Sequence, residues 1–386
     1  MIPYSRQNIT EADIAEVEQV LRSDFLTQGP MVPRFEQAVA NYCDVAHGVA
    51  VNSATSALHI ACLALDLGPG DWLWTSPNTF VASANCAFYC GAKVDFVDID
   101  PRTYNMSVEN LKERLKLAEK EGRLPKIVMP VHFAGQPCDM PAIYALSQKF
   151  GFKIIEDASH AIGASYNNFK VGNCAHSHIT VFSFHPVKII TTGEGGMAMT
   201  NDNALANRMQ RLRIHGITND KELMHSRSDN EIWNYQQIEL GFNYRMTDIH
   251  AALGFSQVKR LDKIVHGRRE IAVKYDDALR TFPILIPWQT PENYSSYHLY
   301  PVRISSSRCK KTQRQVFDTL KQNGVAANLH YIPVHRQPYY ENCGFKVDDF
   351  PEAELFHKEV ISIPIYIGLN EKLLTHVVEA LRKALK

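Results

Sequence analysis

The sequence has no excess of either charge: 41 Lys and Arg stand against 41 Asp and Glu, giving a formal net charge of +0. That balance gives no support to a broad nucleic-acid or membrane-surface role, although a local basic pocket for a phosphorylated ligand stays open. No apolar run approaches the ~20 residues that a membrane span needs. The opening MIPYSRQNIT lacks a charged stretch followed by an apolar one, so no secretory leader is visible. Eight cysteines run from Cys43 to Cys343 without a Cys-x-x-Cys pair. Cys86 and Cys90 would stack on one helix face, but the sequence offers no further ligand nearby. The cysteines therefore read as small buried apolar residues, and no metal site is expected. A reducing cytoplasm fits these features best. Repeats and low-complexity tracts are missing as well. What remains is an ordinary globular composition, 45% apolar and 21% charged, on a chain of 386 residues. That length allows two domains and a substantial core without staples.

What is present alternates between helical and strand-like patterns. Thr10 with Asp13 three later resembles a capping box, and Ile14, Val17, Val20 and Leu21 form an apolar stripe behind it. A second helix is expected at 32–43. Strands are expected at 47–52, 72–76, 93–99, 126–133, 153–159, 178–184 and 195–200, with helices from about 54, at 79–90, at 107–120 and at 140–150. Strands rich in Val, Ile and Phe between helices predict a mainly parallel sheet covered on both faces. Functional residues are then expected just beyond the carboxyl ends of the strands. Residues 202–214 and 247–280 read as helical. From about 265 the character changes, with strand-like HLYPVRI at 298–304 and helices at 311–323 and near 371–385. The expected organisation is a large domain at 1–260, N-terminal segment included, and a smaller α+β domain at 261–386.

The strongest local signal is VFSFHPVKIITTGEGG, residues 181–196, where Lys188 follows a strand and precedes a glycine-bearing turn. A lysine that forms a Schiff base must reach a ligand at the strand ends and lose its proton, which desolvation and a nearby charge promote. Alone, a lysine after a strand is ordinarily a surface residue. Three other segments supply context. NSATSALH, residues 52–59, opens a helix with Thr55 and Ser56, so its free amides and hydroxyls suit a phosphate. A simple helix cap is the other reading. IIEDASHA, residues 154–161, puts Asp157 at the end of a buried strand. A carboxylate there needs a partner: a protonated pyridine nitrogen, a metal or a helix end. SPNTFVASAN, residues 76–85, puts Phe80 after a strand, where it can stack on a flat heteroaromatic ring or fill the core.

In the order phosphate loop, aromatic, Asp, Ser, Lys, the chain resembles the DegT-type sugar-nucleotide aminotransferases. Further matching stretches are IPYSRQNI, LTQGP, VDFVDID, HFAGQPCDM, GFNYRMTDIHAALG and LHYIPVH, from about residue 2 to 335. The resemblance implies an α/β fold of the fold-type-I, aspartate aminotransferase-like kind, with pyridoxal 5'-phosphate as cofactor. It implies that Lys188 is the Schiff-base lysine and proton shuttle, and that Asp157 holds the pyridine nitrogen. Phe80 would stack on the ring, and His160 would lie near its phenolic oxygen. Thr55, Ser56 and Ser183 would bind the cofactor phosphate. Asn243 would reach the phosphate of the neighbouring subunit's cofactor, which implies a homodimer with shared sites. Tyr4, Thr27, His330 and Tyr331 would line the sugar-nucleotide pocket, with ordinary packing as the competing role for each.

Within that family, NSATSAL, SHAIG, HLYPV and LHYIP resemble the aminotransferase of the pseudaminic acid pathway. The resemblance implies transfer from glutamate, by way of pyridoxamine phosphate, to the C4 keto group of a UDP-linked 4-keto-6-deoxy-N-acetylhexosamine. The products would be an amino sugar nucleotide and 2-oxoglutarate. Competing substrates are the D-configured epimer, a keto-arabinose nucleotide and C3-keto sugars. Related dehydratases carry His where the lysine belongs, so Lys188 favours amination. The stretch KELMHSRSDNEIWNYQQIE, 221–239, is an expected place for departure, near the mouth of the site. Two readings from other classes stay in view. One is a cofactor-binding regulator, against which stand the missing helix-turn-helix signature and basic excess. The other is a different fold-type-I enzyme, such as an aldolase, or a desulfurase using Cys343 in ENCGF.

Overall fold

The computed structural model describes residues 1–226 and 235–386, so residues 227–234 of the 221–239 stretch lie outside the described residues. The central feature is a seven-stranded sheet. Its strands are β1 (His47–Val51), β2 (Trp72–Thr75), β3 (Lys93–Phe96), β4 (Ile127–Met129), β5 (Lys153–Asp157), β6 (Ile179–Ser183) and β7 (Gly196–Thr200). They lie in the order β1-β7-β6-β5-β4-β2-β3. The pairs joining β6, β5, β4, β2 and β3 are all parallel, while β7 runs antiparallel to both of its neighbours. The expectation of a mainly parallel sheet is met, with β7 the one reversed strand.

Successive side chains of a strand point to opposite faces, and here both faces meet helices. Val49, Val51, Ile155, Val181 and Ala198 pack with Ala57, Leu58 and Ile60 of the helix Ala54–Ala64. Ala50, Phe182, Met197 and Met199 pack on the other side with Phe35 and Val39 of the helix Met31–Cys43 and with Ala251 and Ala252 of the helix Asp248–Val258. Strands apolar on both faces are what parallel sheets require, and β6 and β7 are buried at every residue.

Helix limits follow local signals. The helix Met140–Phe150 begins where the Asp139 side chain accepts the Ala142 amide, and it ends at Gly151, whose φ of 81° continues no helix. The expected helix at 247–280 is two helices, Asp248–Val258 and Leu261–Leu279. The helix expected at 79–90 starts only at Ala82, after a turn that brings Thr79 and Phe80 to the wall of a cavity.

The first helix, Glu11–Leu21, departs from the apolar-stripe reading. Val20 is buried, but Ile14 and Leu21 are exposed. The inward position belongs instead to Asp13, fully buried, whose carboxylate accepts from the Thr10 amide at 2.8 Å and pairs with Arg260. A buried carboxylate with a guanidinium partner fixes the helix face more strongly than two surface aliphatics.

The C-terminal part builds a second core. Strand β8 (Tyr300–Arg303) pairs antiparallel with β9 (Val360–Ile363), and the helices Leu261–Leu279, Gln313–Gln322 and Glu371–Ala384 cover them. The strand at β9 and the helix Pro351–Glu359 before it carried no clear sequence signal. Ile2 enters this core, its amide bonded to the Gly324 carbonyl at 2.7 Å, and the Ser5 hydroxyl donates to the Val187 carbonyl at 2.9 Å. The first residues thus tie the C-terminal core to the lysine-bearing loop.

Arg268 is buried in the interior, with 2% exposure. Its Nη1 donates to the carbonyls of Tyr297, His298 and Ile365 at 3.2, 3.3 and 3.0 Å. Burial pushes its guanidinium down to about 10, still charged at neutral pH. Removing the donor strands three carbonyls, and an unsatisfied buried polar group is costly. Arg268→Leu is expected to lower unfolding stability by about 3 kcal/mol, read from urea denaturation, while a loss below about 1 kcal/mol would show the carbonyls repaired by water.

Candidate active site

A cavity of about 460 Å³ opens at the carboxyl ends of the parallel strands. Strand ends deliver Val131, Asp157 and Ser183 to it, helix starts deliver Ser53, Ala54 and Thr55, and the C-terminal part closes it with His298 and residues 328–331.

Lys188 sits on the loop after β6, its amide bonded to the His185 carbonyl. The residue is half-buried, but its amine is enclosed. Burial pushes the amine down to about 8, while the Asp157 charge acts in the opposite sense. Asp157 ends β5 and is fixed on both oxygens: Oδ2 accepts from the Ser83 hydroxyl at 2.6 Å, and Oδ1 from the Ser159 amide at 3.1 Å. Each carboxylate oxygen retains a further lone pair for a ligand.

An anion cradle lies at the start of the helix Ala54–Ala64. Ser53 caps it, its side chain taking the Ser56 amide at 3.1 Å. The amides of Ala54 and Thr55 have no partner among the described residues and belong to the cavity wall. Gly196 makes the approach possible: a Cβ there would come within 2.5 Å of the Ala54 nitrogen. Ser183 faces this helix start from β6. Ser56 does not reach the cavity, because its hydroxyl turns back to donate to Asn52 Oδ1 at 2.6 Å. Of the expected phosphate ligands, Thr55 and Ser183 line the cavity and Ser56 does not.

Phe80 is 60% exposed at the cavity rim, so it is no core residue. His160 is buried. Its Nδ1 accepts from the Ala134 amide at 3.3 Å, which leaves the proton on Nε2, 3.1 Å from the Tyr331 hydroxyl. Burial and the charge of Lys188 hold its imidazole well below the usual range. His330 is pushed down to about 3 by burial and Lys188. Both its nitrogens are engaged, Nδ1 with Ser362 Oγ at 2.9 Å and Nε2 with Asn328 Nδ2 at 3.4 Å. Tyr4 lines the cavity with its ring 5.4 Å from that of His330. Thr27 does not line it: Thr27 is exposed and paired with Thr247. Asn243 is exposed and also outside this chain's cavity. Cys343, the thiol of the desulfurase reading, lies in a separate groove with Trp72 and Phe88.

Several lining residues escaped the sequence reading, notably Ser83, Ser159, His298 and Asn328. Ser83 and His298 stood inside quoted motifs, SPNTFVASAN and HLYPV, but nothing in their spacing singled them out. Their roles depend on partners far away in the chain.

The arrangement suits a phosphorylated aromatic aldehyde. The cradle would take the phosphate, the enclosed amine would react with the aldehyde, and Asp157 would pair with a ring cation. Comparison with known proteins agrees. The pattern of the DegT/DnrJ/EryC1/StrS aminotransferase family matches residues 7–382. The spore coat polysaccharide biosynthesis protein SpsC of Bacillus subtilis is 37% identical over 388 residues, covering 100% of this chain and 97% of its own. The UDP-4-amino-4,6-dideoxy-N-acetyl-beta-L-altrosamine transaminase of Campylobacter jejuni is 37% identical over 374 residues, 96% of this chain and 94% of that protein. Helicobacter pylori PseC, an aminotransferase involved in the biosynthesis of pseudoaminic acid, superposes with a TM-score of 0.90 at 29% identity, covering 100% of this chain and 99% of that one. Spr1654 of Streptococcus pneumoniae, a candidate sugar aminotransferase in its PLP form, superposes with a TM-score of 0.87 at 29% identity over 100% of both chains. The family match runs nearly the length of the chain, which thus belongs to the DegT/DnrJ/EryC1/StrS aminotransferases and is a pyridoxal-phosphate-dependent transaminase.

Proposed function

We propose that this transaminase carries the amino group of L-glutamate to the C4 keto group of a UDP-linked 4-keto-6-deoxy-N-acetylhexosamine. The observation that carries the reading is an enclosed amine of lowered pKa facing Asp157 in one cavity with an anion cradle. The relative from Campylobacter jejuni, named for an amino sugar nucleotide of this type, supports the substrate.

Pyridoxal phosphate, when bound, supplies the electron sink that makes the carbon bearing the amine acidic. The rest falls to this chain. Lys188 would hold the cofactor and, once released, accept a proton from the substrate carbon and return it. Asp157 would keep the ring nitrogen protonated, its own geometry locked by Ser83 and Ser159. Thr55 and Ser183 would hold the phosphate, Phe80 would cover the ring, and His160 would donate near its oxygen. Tyr4, His330 and Tyr331 form the wall left for the sugar.

A second copy of this chain completes the reading. Asn243 lies on the surface, and the exposed apolar side chains Phe25, Leu26 and Leu240 lie on nearby stretches. Thr27, backbone-paired to Thr247, lies in the same region. The cytoplasm is the proposed compartment: the cysteines are free, all but Cys343 are buried, and no helix among the described residues is long and apolar enough to cross a membrane.

The function is tested by absorbance. Glutamate is expected to bleach the visible band of the loaded protein, and one member of a panel of C4- and C3-keto nucleotide sugars to restore it. Lys188→Ala should lack the band and lose roughly 10³-fold in turnover. Restoration by a C3-keto sugar alone would overturn the C4 assignment.

Cofactor uptake should report the Lys188 amine directly. Only the neutral amine attacks, so uptake by the stripped protein should rise about tenfold per pH unit and level off above about 8. A rate still climbing at the ordinary lysine value would show an unperturbed amine.

Shared sites predict complementation. Mixing Lys188→Ala with Asn243→Ala subunits should restore about a quarter of wild-type activity, because a mixed dimer has one site with both residues intact. No recovery from two inactive variants would place Asn243 in its own subunit's site, and an active Asn243→Ala homodimer would place it outside any site.

A further inference from the structure

Among the side chains of the cavity wall, His298 has no assigned task. It is 2% exposed and opens the HLYPV segment just before β8. Its carbonyl is gripped by Arg268 at 3.3 Å, so the residue is anchored from behind. Its ring lies 4.3 Å from that of His160, tilted by 42°. Unlike His160 and His330, which spend both nitrogens on protein partners, His298 makes no side-chain hydrogen bond to any described residue. Its Nδ1 is sealed from solvent without a partner.

An unpaired imidazole in a dry wall is costly unless a ligand meets it. The tautomer follows from which nitrogen is sealed. With Nδ1 sealed and partnerless, the proton belongs on Nε2, the ring nitrogen that is not sealed in this cavity-lining residue. Burial, together with His160, Lys188, Arg268 and His330, holds the ring well below the usual histidine range, so this donor stays neutral. A neutral donor beside Lys188 can hold a substrate oxygen without competing for the proton that Lys188 carries.

We propose that His298 is a substrate-binding residue of this site, donating from Nε2 to an oxygen of the substrate next to the reacting carbon. The inference rests on the transaminase reading and not on the identity of the sugar.

Amide side chains separate the two ring nitrogens. In H298Q the amide reaches the position of Nε2, and in H298N that of Nδ1. Single-turnover half-reactions with glutamate and with the keto sugar should fall roughly 10-fold or more in H298N and H298F in at least one direction, with H298Q within about threefold of wild type. Binding is read separately with two probes that cannot turn over, glutarate and UDP-N-acetylglucosamine, by the rise in melting temperature of the loaded protein. The weakened probe should match the slowed half-reaction. Unchanged half-reactions in H298N would overturn the proposal. Equal losses in all three variants would overturn it too, because the ring would then serve packing alone. If the wild-type protein ignores the UDP-sugar probe but still reacts with glutamate, the sugar reading fails, and His298 is judged on the glutamate half-reaction.

Discussion

The Lys188 amine is pushed down to about 8 by burial, while the Asp157 carboxylate pulls against that shift. An amine at its ordinary value would be almost wholly protonated at neutral pH and unable to attack a carbonyl. Complete desolvation without a charge nearby would make it neutral but would leave Asp157 without purpose in the wall. The balance depends on how water is excluded and how firmly the carboxylate is held. Adjacent parallel strands β5 and β6 set the separation, since Asp157 ends one and the lysine loop leaves the other. Ser83 and Ser159 fix the carboxylate from outside the sheet.

The C-terminal part closes one side of the cavity. Arg268, buried beneath the 297–298 turn, holds the loop that carries His298. His330 and Tyr331 come from the segment after Asn328, which pairs with Ser362 of β9. The first residues of the chain join in, with Ile2 inside that core and Ser5 bonded to Val187 beside the lysine. The wall facing the amine is therefore made of neutral imidazoles and phenols held by segments far apart in sequence. A protonated imidazole there would repel the amine and shift it further, and burial of the rings prevents that.

The same logic accounts for the glycine at the start of β7. The helix Ala54–Ala64 offers its first amides to the cavity only because Gly196 lets the strand touch the helix start. Any side chain at Gly196 would push the cradle away from Ser183 across the sheet. The reversed direction of β7 brings this residue, and not the far end of the strand, to the mouth of the site.

Part of this is legible in the sequence. The alternation of strands and helices and the limits of Met140–Phe150 follow from short-range signals, whereas the grouping of Thr55, Phe80, Asp157, Ser183 and Lys188 was implied by the family resemblance. Periodicity, caps and strand ends act over a few residues, so the sequence by itself determined the fold class and marked Lys188 and Asp157 as candidates at strand ends. Tertiary structure decided the rest. It turned Ser56 back to Asn52, put Asp13 inside and Ile14 outside, and brought Ser83 to Asp157 and His298 to His160. Those pairings join residues from 4 to 138 positions apart, and most depend on which buried polar group finds its partner, a choice no local pattern encodes.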